Sequence, residues 1–108
     1  MSAEFYITFK TPTWLVSNLS RVEEKISSLK TFIARNNNQF WLLGTENRDQ
    51  EGRWKYDVRL IFEDNTRILL EISIHPESIE MDLSLFLQWL REQTDISVID
   101  EDGELSGW

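Results

Sequence analysis

Residues 53–75 read RWKYDVRLIFEDNTRILLEISIH. Two alternating stretches, 53–63 and 67–75, flank the polar triplet Asp64-Asn65-Thr66. A period of two is the signature of a strand with one face buried. The first stretch places Trp54, Tyr56, Val58, Leu60 and Phe62 on one face, and Lys55, Asp57, Arg59 and Ile61 on the other. The second places Ile68, Leu70, Ile72 and Ile74 on its apolar face. Parity then selects the register, because a slip of one residue turns every side chain to the opposite face. A turn of two or four residues mixes the faces. A three-residue turn pairs Phe62 with Ile68, Leu60 with Leu70 and Val58 with Ile72, and sets Arg59 opposite Glu71 on the outer face. The prediction is an antiparallel hairpin with an odd-length turn and Asn65 or Thr66 near its bulge position.

Working outward, QFWLLGT at 39–45 reads as a short buried strand, followed by the charged loop ENRDQEG at 46–52. EFYITFK at 4–10 is a first strand, with Phe5, Ile7 and Phe9 on one face and Tyr6 and Thr8 on the other. From Trp14 to Arg35 the apolar positions 15, 19, 22, 26, 29 and 33 trace one helical stripe. Ser20 and Glu23 have capping-box spacing, with Ser17 and Thr13 as equal candidates for the start. The run Asn36-Asn37-Asn38 ends this helix, since Asn accepts the left-handed conformation. Beyond Pro76, residues 78–93 form a second helix with Ile79, Leu83, Phe86, Leu87 and Leu90 on its apolar side. Glu77, Glu80 and Asp82 near its start and Arg91 in its last turn suit the helix dipole. ISVID at 96–100 is a last strand, and Asp102-Gly103 turns the chain back towards Ser106 and Trp108. The expected fold is α+β: one domain over 1–108, a mainly antiparallel sheet of about five strands and two amphipathic helices, in the order β-α-β-β-β-α-β.

Composition narrows the chemistry. The 108 residues suit a single core, and 41% are hydrophobic. The absence of cysteine removes disulfides, thiol nucleophiles and zinc-thiolate sites together. The one histidine, His75, stands before a proline without a sequence-evident partner, and no phosphate-binding or nucleophile-elbow motif occurs. Asp57 and Glu71 beside Arg59 are the remaining acid–base or metal candidates, and a cross-strand surface ion pair explains them more simply. The tail from Asp100 is too short for a calcium loop of the EF-hand type. A non-enzymatic role without cofactor or metal is therefore expected. No signal-peptide pattern and no apolar run of the ~20 residues a membrane helix needs is found, so a cytoplasmic location is expected.

The formal net charge is −8, and it is unevenly spread. Residues 1–36 carry five basic and three acidic side chains, whereas residues 37–108 carry six and sixteen. Such a field repels phosphate backbones and anionic membranes and attracts a basic protein. The carboxylates without an evident structural task are Asp49 and Glu51 in the charged loop and Asp100, Glu101, Asp102 and Glu104 in the tail. Of the five tryptophans, Trp14, Trp41 and Trp89 read as core, while Trp54 and Trp108 adjoin the acidic segments and read equally as interface anchors or as packed side chains.

In size, in acidity and in the segments WKYDVRLIFED, TRILLEISIHPESIEMDL, FLQWLREQT and DEDGELSGW, the chain resembles the immunity proteins of bacterial toxin systems, in particular those of contact-dependent growth inhibition. The resemblance implies cytoplasmic binding to a cognate toxin domain, often a basic nuclease, with its active site or nucleic-acid-binding surface covered. The other reading of the same features is a non-catalytic adaptor or subunit of a larger assembly, self-association included.

Overall fold

The computed structural model describes residues 3–46 and 55–108. Along the chain run β1 (Ala3–Phe9), α1 (Pro12–Ser17), α2 (Leu19–Ser27), β2 (Phe32–Asn36), β3 (Gln39–Leu42), β4 (Val58–Glu63), β5 (Arg67–Ile72), α3 (Glu77–Gln93) and β6 (Ile96–Ile99). The six strands form one antiparallel sheet in the order β2-β3-β4-β5-β1-β6. The class is α+β, with one strand more than expected.

The hairpin that decides the fold has the register parity demands. Val58, Leu60 and Phe62 face Ile72, Leu70 and Ile68, and Arg59 faces Glu71. Its three-residue turn runs through left-handed Asp64 and Asn65 (φ +50° and +55°). The strands are shorter than the alternating sequences. Asp57 and Val58 are buried in succession, which breaks the period, and Tyr56 turns to the face that carries Arg59. Asp57 is therefore a buried residue and not an outer-face neighbour of Arg59 and Glu71. At the far end β5 stops at Ile72, and Ile74 is exposed.

The long first helix is not formed as its stripe suggested. Leu15, Val22, Ile26 and Leu29 are buried as predicted, but the helix breaks at Asn18, whose side-chain amide donates to the Trp14 carbonyl (2.9 Å). Such local bonding competes with helix continuation. Thr11 and Asn18 occupy the two N-cap positions, without side-chain capping bonds, in place of Thr13, Ser17 or Ser20. Phe32 and Ile33 are aromatic and β-branched, and they open an edge strand instead of a last helical turn. Asn37 is left-handed (φ +56°), but in the turn between β2 and β3 and not at a helix end.

Two helical crossovers complete the sheet. One, α1–α2, leads from β1 to β2, and the other, α3, leads from β5 to β6. They start from strands of opposite sense and run in opposite directions across the sheet, so crossovers of the same hand lie on one face. Ile7, Phe9, Phe40, Leu42, Leu60, Leu70 and Val98 from the sheet accordingly share one core with Leu15, Val22, Ile26, Ile79, Leu83, Phe86 and Leu90 from the helices. The opposite face of the sheet carries no helix among the described residues. No helix is long and apolar enough to cross a membrane among the described residues.

Candidate functional site

The acidic tail is a built turn. The Asp100 N–H donates to the Glu104 carbonyl (2.8 Å), the Gly103 N–H to the Asp100 carbonyl (3.1 Å), and Ile99 bridges Leu105. Gly103 takes φ +82°, a conformation costly for a residue with a Cβ. The side chains divide by task. Asp100 Oδ1 accepts from the N–H groups of Asp102 (2.9 Å) and Glu104 (3.0 Å), and Glu101 Oε1 accepts from the Glu4 N–H (3.3 Å). Asp100 and Glu101 thus hold the turn and fasten it to β1. Asp102 and Glu104 are exposed and have no side-chain partner among the described residues.

Trp108 fastens the segment from the other side. It packs edge-on against Phe5 (6.4 Å between ring centroids) and His75 (6.0 Å). Its N–H donates to Ser106 Oγ (3.2 Å), and its main-chain oxygen accepts from Arg91 Nη2 (2.5 Å). The residue is half-buried against the core. His75 in turn contacts Glu80 Oε2 through Nδ1 (2.8 Å), which links Trp108 to the first turn of α3.

Asp49, Glu51 and Trp54 lie outside the described residues. The flanks of their segment are described. Glu46 accepts from the Ser78 N–H (2.9 Å) and Oγ–H (2.6 Å), so it caps the N-terminus of α3 from a distance. The Gly44 N–H donates to Asp57 Oδ2 (2.8 Å), while the Asp57 N–H donates to the Leu42 carbonyl (2.8 Å). Strand sense brings these features to one end of the molecule. The end of β3, the start of β4, the end of β5 with the N-terminus of α3, and the end of β6 all lie at the edge where Ala3 pairs with Ile72. β4 and β6 stand three places apart, roughly 14 Å at ordinary strand spacing.

On the open face of the sheet the strands bring together side chains of a different kind. Arg59 donates to Glu71 through Nε (3.0 Å) and Nη2 (2.9 Å) and lies over the Tyr56 ring, beside Trp41. The hydrogen bond to Glu71 raises the Arg59 pKa above its ordinary value, burial pulls it part of the way back, and the charges of Glu71 and Glu4 add to the rise. Both Glu71 oxygens are engaged, and Asp57 lies in the core layer. The proposed carboxylate cluster is therefore not assembled. Among the described residues no group of three or more His, Asp or Glu could hold a metal ion.

Three features were not read from the sequence. Trp41 sits on the open face and not in the core, a placement that Phe40 and Leu42 on either side of it dictate. Asp82 is buried and accepts from the Thr31 N–H (2.8 Å) and Oγ1–H (2.7 Å), so it is a cross-link and not a dipole charge. Met81 and Leu85 are exposed on α3, which carries more apolar residues than one stripe holds. A scan against family models gives no match, and searches of curated proteins and of solved structures give none either.

Proposed function

We propose that the protein is an immunity protein, which binds a cognate basic toxin domain of the nuclease type and covers its active site or its nucleic-acid-binding surface. The observation that carries this reading is the acidic turn at 100–104. Its backbone is held by Asp100 and Glu101, leaving Asp102 and Glu104 to present charge at fixed positions. A surface that grips phosphates must carry Lys and Arg, and carboxylates carried on a preorganised backbone match it at a reduced ordering cost. The same end of the sheet holds the flanks of the segment that contains Asp49 and Glu51. Cytoplasmic residence follows from this role, because the toxin must be met where it acts.

Affinity capture of the tagged protein from its native host, followed by identification of what it holds, names the partner. The Asp102→Lys/Glu104→Lys variant then tests the mechanism without touching the carboxylates that build the turn. Reversing two charges should slow association with the captured toxin by at least about tenfold and weaken protection of cells. Unchanged association and protection would show that the acidic turn is not the binding element. Capture of an acidic assembly in place of a basic toxin would favour an adaptor role.

A further inference from the structure

We infer that the outer ridge of α3 docks a basic amphipathic helix of the protein's partner. The inference rests on the binding role proposed above and specifies the surface and the chemistry that would meet it. Ile79, Leu83, Phe86, Leu87 and Leu90 satisfy the core, yet Met81 and Leu85 stand one turn apart on the other side with exposures of 59% and 55%. They form a ridge between two hollows. One, of about 370 Å³, is bounded by Glu77, Glu80, Ser84 and Gln88; the other, of about 220 Å³, reaches Lys30, Thr45 and Ser78. An i, i+4 apolar pair with a depression on each flank has the form that a helix laid alongside can engage with its own apolar side chains. Methionine adds adaptability, since its unbranched thioether repacks around different partners.

The charge around the ridge selects the occupant. Glu77 and Glu80 border it, Glu46 lies at Ser78, and Glu92 continues the same side beyond Gln88. The cations nearby stand on the flank towards α2: Lys30 lines the second hollow, and Arg21 and Lys25, with Glu24 beside them, lie against the Trp89 ring one turn beyond Leu85. Arg91, further along, is engaged with the main chain of Trp108. His75 faces Glu80. An acidic segment, an anionic membrane and a second copy of this chain at −8 all meet repulsion here. A helix with Lys or Arg flanking two apolar side chains meets attraction. The ridge starts at the α3 N-terminus, at the end of the sheet where the 100–104 turn also stands, so one basic partner spans both.

The test uses the full chain and a defined probe. A synthetic amphipathic Leu/Lys helix of roughly five turns, and its Leu/Glu counterpart, are titrated into the isotopically labelled protein while amide shifts are followed. The Leu/Lys peptide should shift amides across 77–88 and around 30 and 45, and the Leu/Glu peptide should not. Met81→Gln/Leu85→Gln, at exposed positions and with good helix propensity, should weaken Leu/Lys binding by about tenfold or more while thermal unfolding stays unchanged. Asp102→Lys/Glu104→Lys should leave peptide affinity within about threefold, so the ridge and the acidic turn can fail separately. Shifts confined to 100–104, equal binding of the two peptides, no binding, or full affinity in M81Q/L85Q would each overturn the ridge as the docking surface. If the ridge holds in this titration and D102K/E104K still protects cells, only the tail mechanism falls.

Discussion

Asp82 shows how much a single buried carboxylate decides. It is 5% exposed, Thr31 is 1% exposed, and two bonds to one oxygen tie α3 to the segment that enters β2. Asp82→Ala leaves the Thr31 N–H and hydroxyl unsatisfied in the interior and should cost about 2–4 kcal/mol. Asp82→Asn keeps an acceptor and should cost less than half of that, both values read from urea unfolding. Trp108→Ala should lower stability by about 1–3 kcal/mol through lost packing on Phe5 and His75, and it should also loosen the acidic turn. That variant therefore cannot separate anchoring from recognition, whereas substitution of Asp102 and Glu104 can. Asp64, at φ +50°, is the reverse case: Asp64→Gly should raise the urea midpoint by the equivalent of about 0.5–1 kcal/mol, and a β-branched residue there should lower it. The raised pKa of Arg59 makes its contribution complete below its unfolded value and lost only as pH rises through the folded one. The arginine thus adds no pH dependence until about pH 12.

At the scale of elements, the region from Leu29 to Ile33 distinguishes helix from strand by measurement. Leu29→Ala removes a buried side chain and should cost about 2–4 kcal/mol, while Ile33→Ala, 46% exposed on β2, should cost under about 1 kcal/mol. Equal costs would restore the long helix. The hairpin was legible because parity admits one register that keeps both faces consistent, and the tail turn because Asp-Gly suits its geometry. β2 was not legible because Ile33 falls by coincidence on the helical stripe, while the bonds that favour a strand come from β3, whose pairing the helical periodicity does not register. Asp57 was misplaced for a related reason: its carboxylate serves the Gly44 amide, and nothing local announces that partner. The ridge on α3 had a visible signal in the surplus of apolar residues in SIEMDLSLFLQWL, though not its acidic surroundings in three dimensions.

For the whole molecule, charge and topology act together. The acidic segments leave the sheet at one end, so affinity for a basic partner should fall steeply with ionic strength as screening shortens to about 3 Å at 1 M salt. The association rate should carry most of that fall, which stopped-flow mixing at several salt concentrations measures. A salt-independent rate would count against electrostatic recognition. Sheet edges are treated unequally: Leu105 and Ser106 cover part of β6, whereas no strand among the described residues pairs with the outer side of β2. The place of β1 has a consequence for how the molecule is made. The first strand of the chain stands between β5 and β6, whose residues are 67–72 and 96–99. On a translating ribosome β1 must wait, unpaired and carrying Phe5, Ile7 and Phe9, until β5 has emerged, and its second edge stays open until β6 follows. Closure of the sheet is thereby a late, long-range event, and slow folding with a window for early chaperone engagement is built into the strand order.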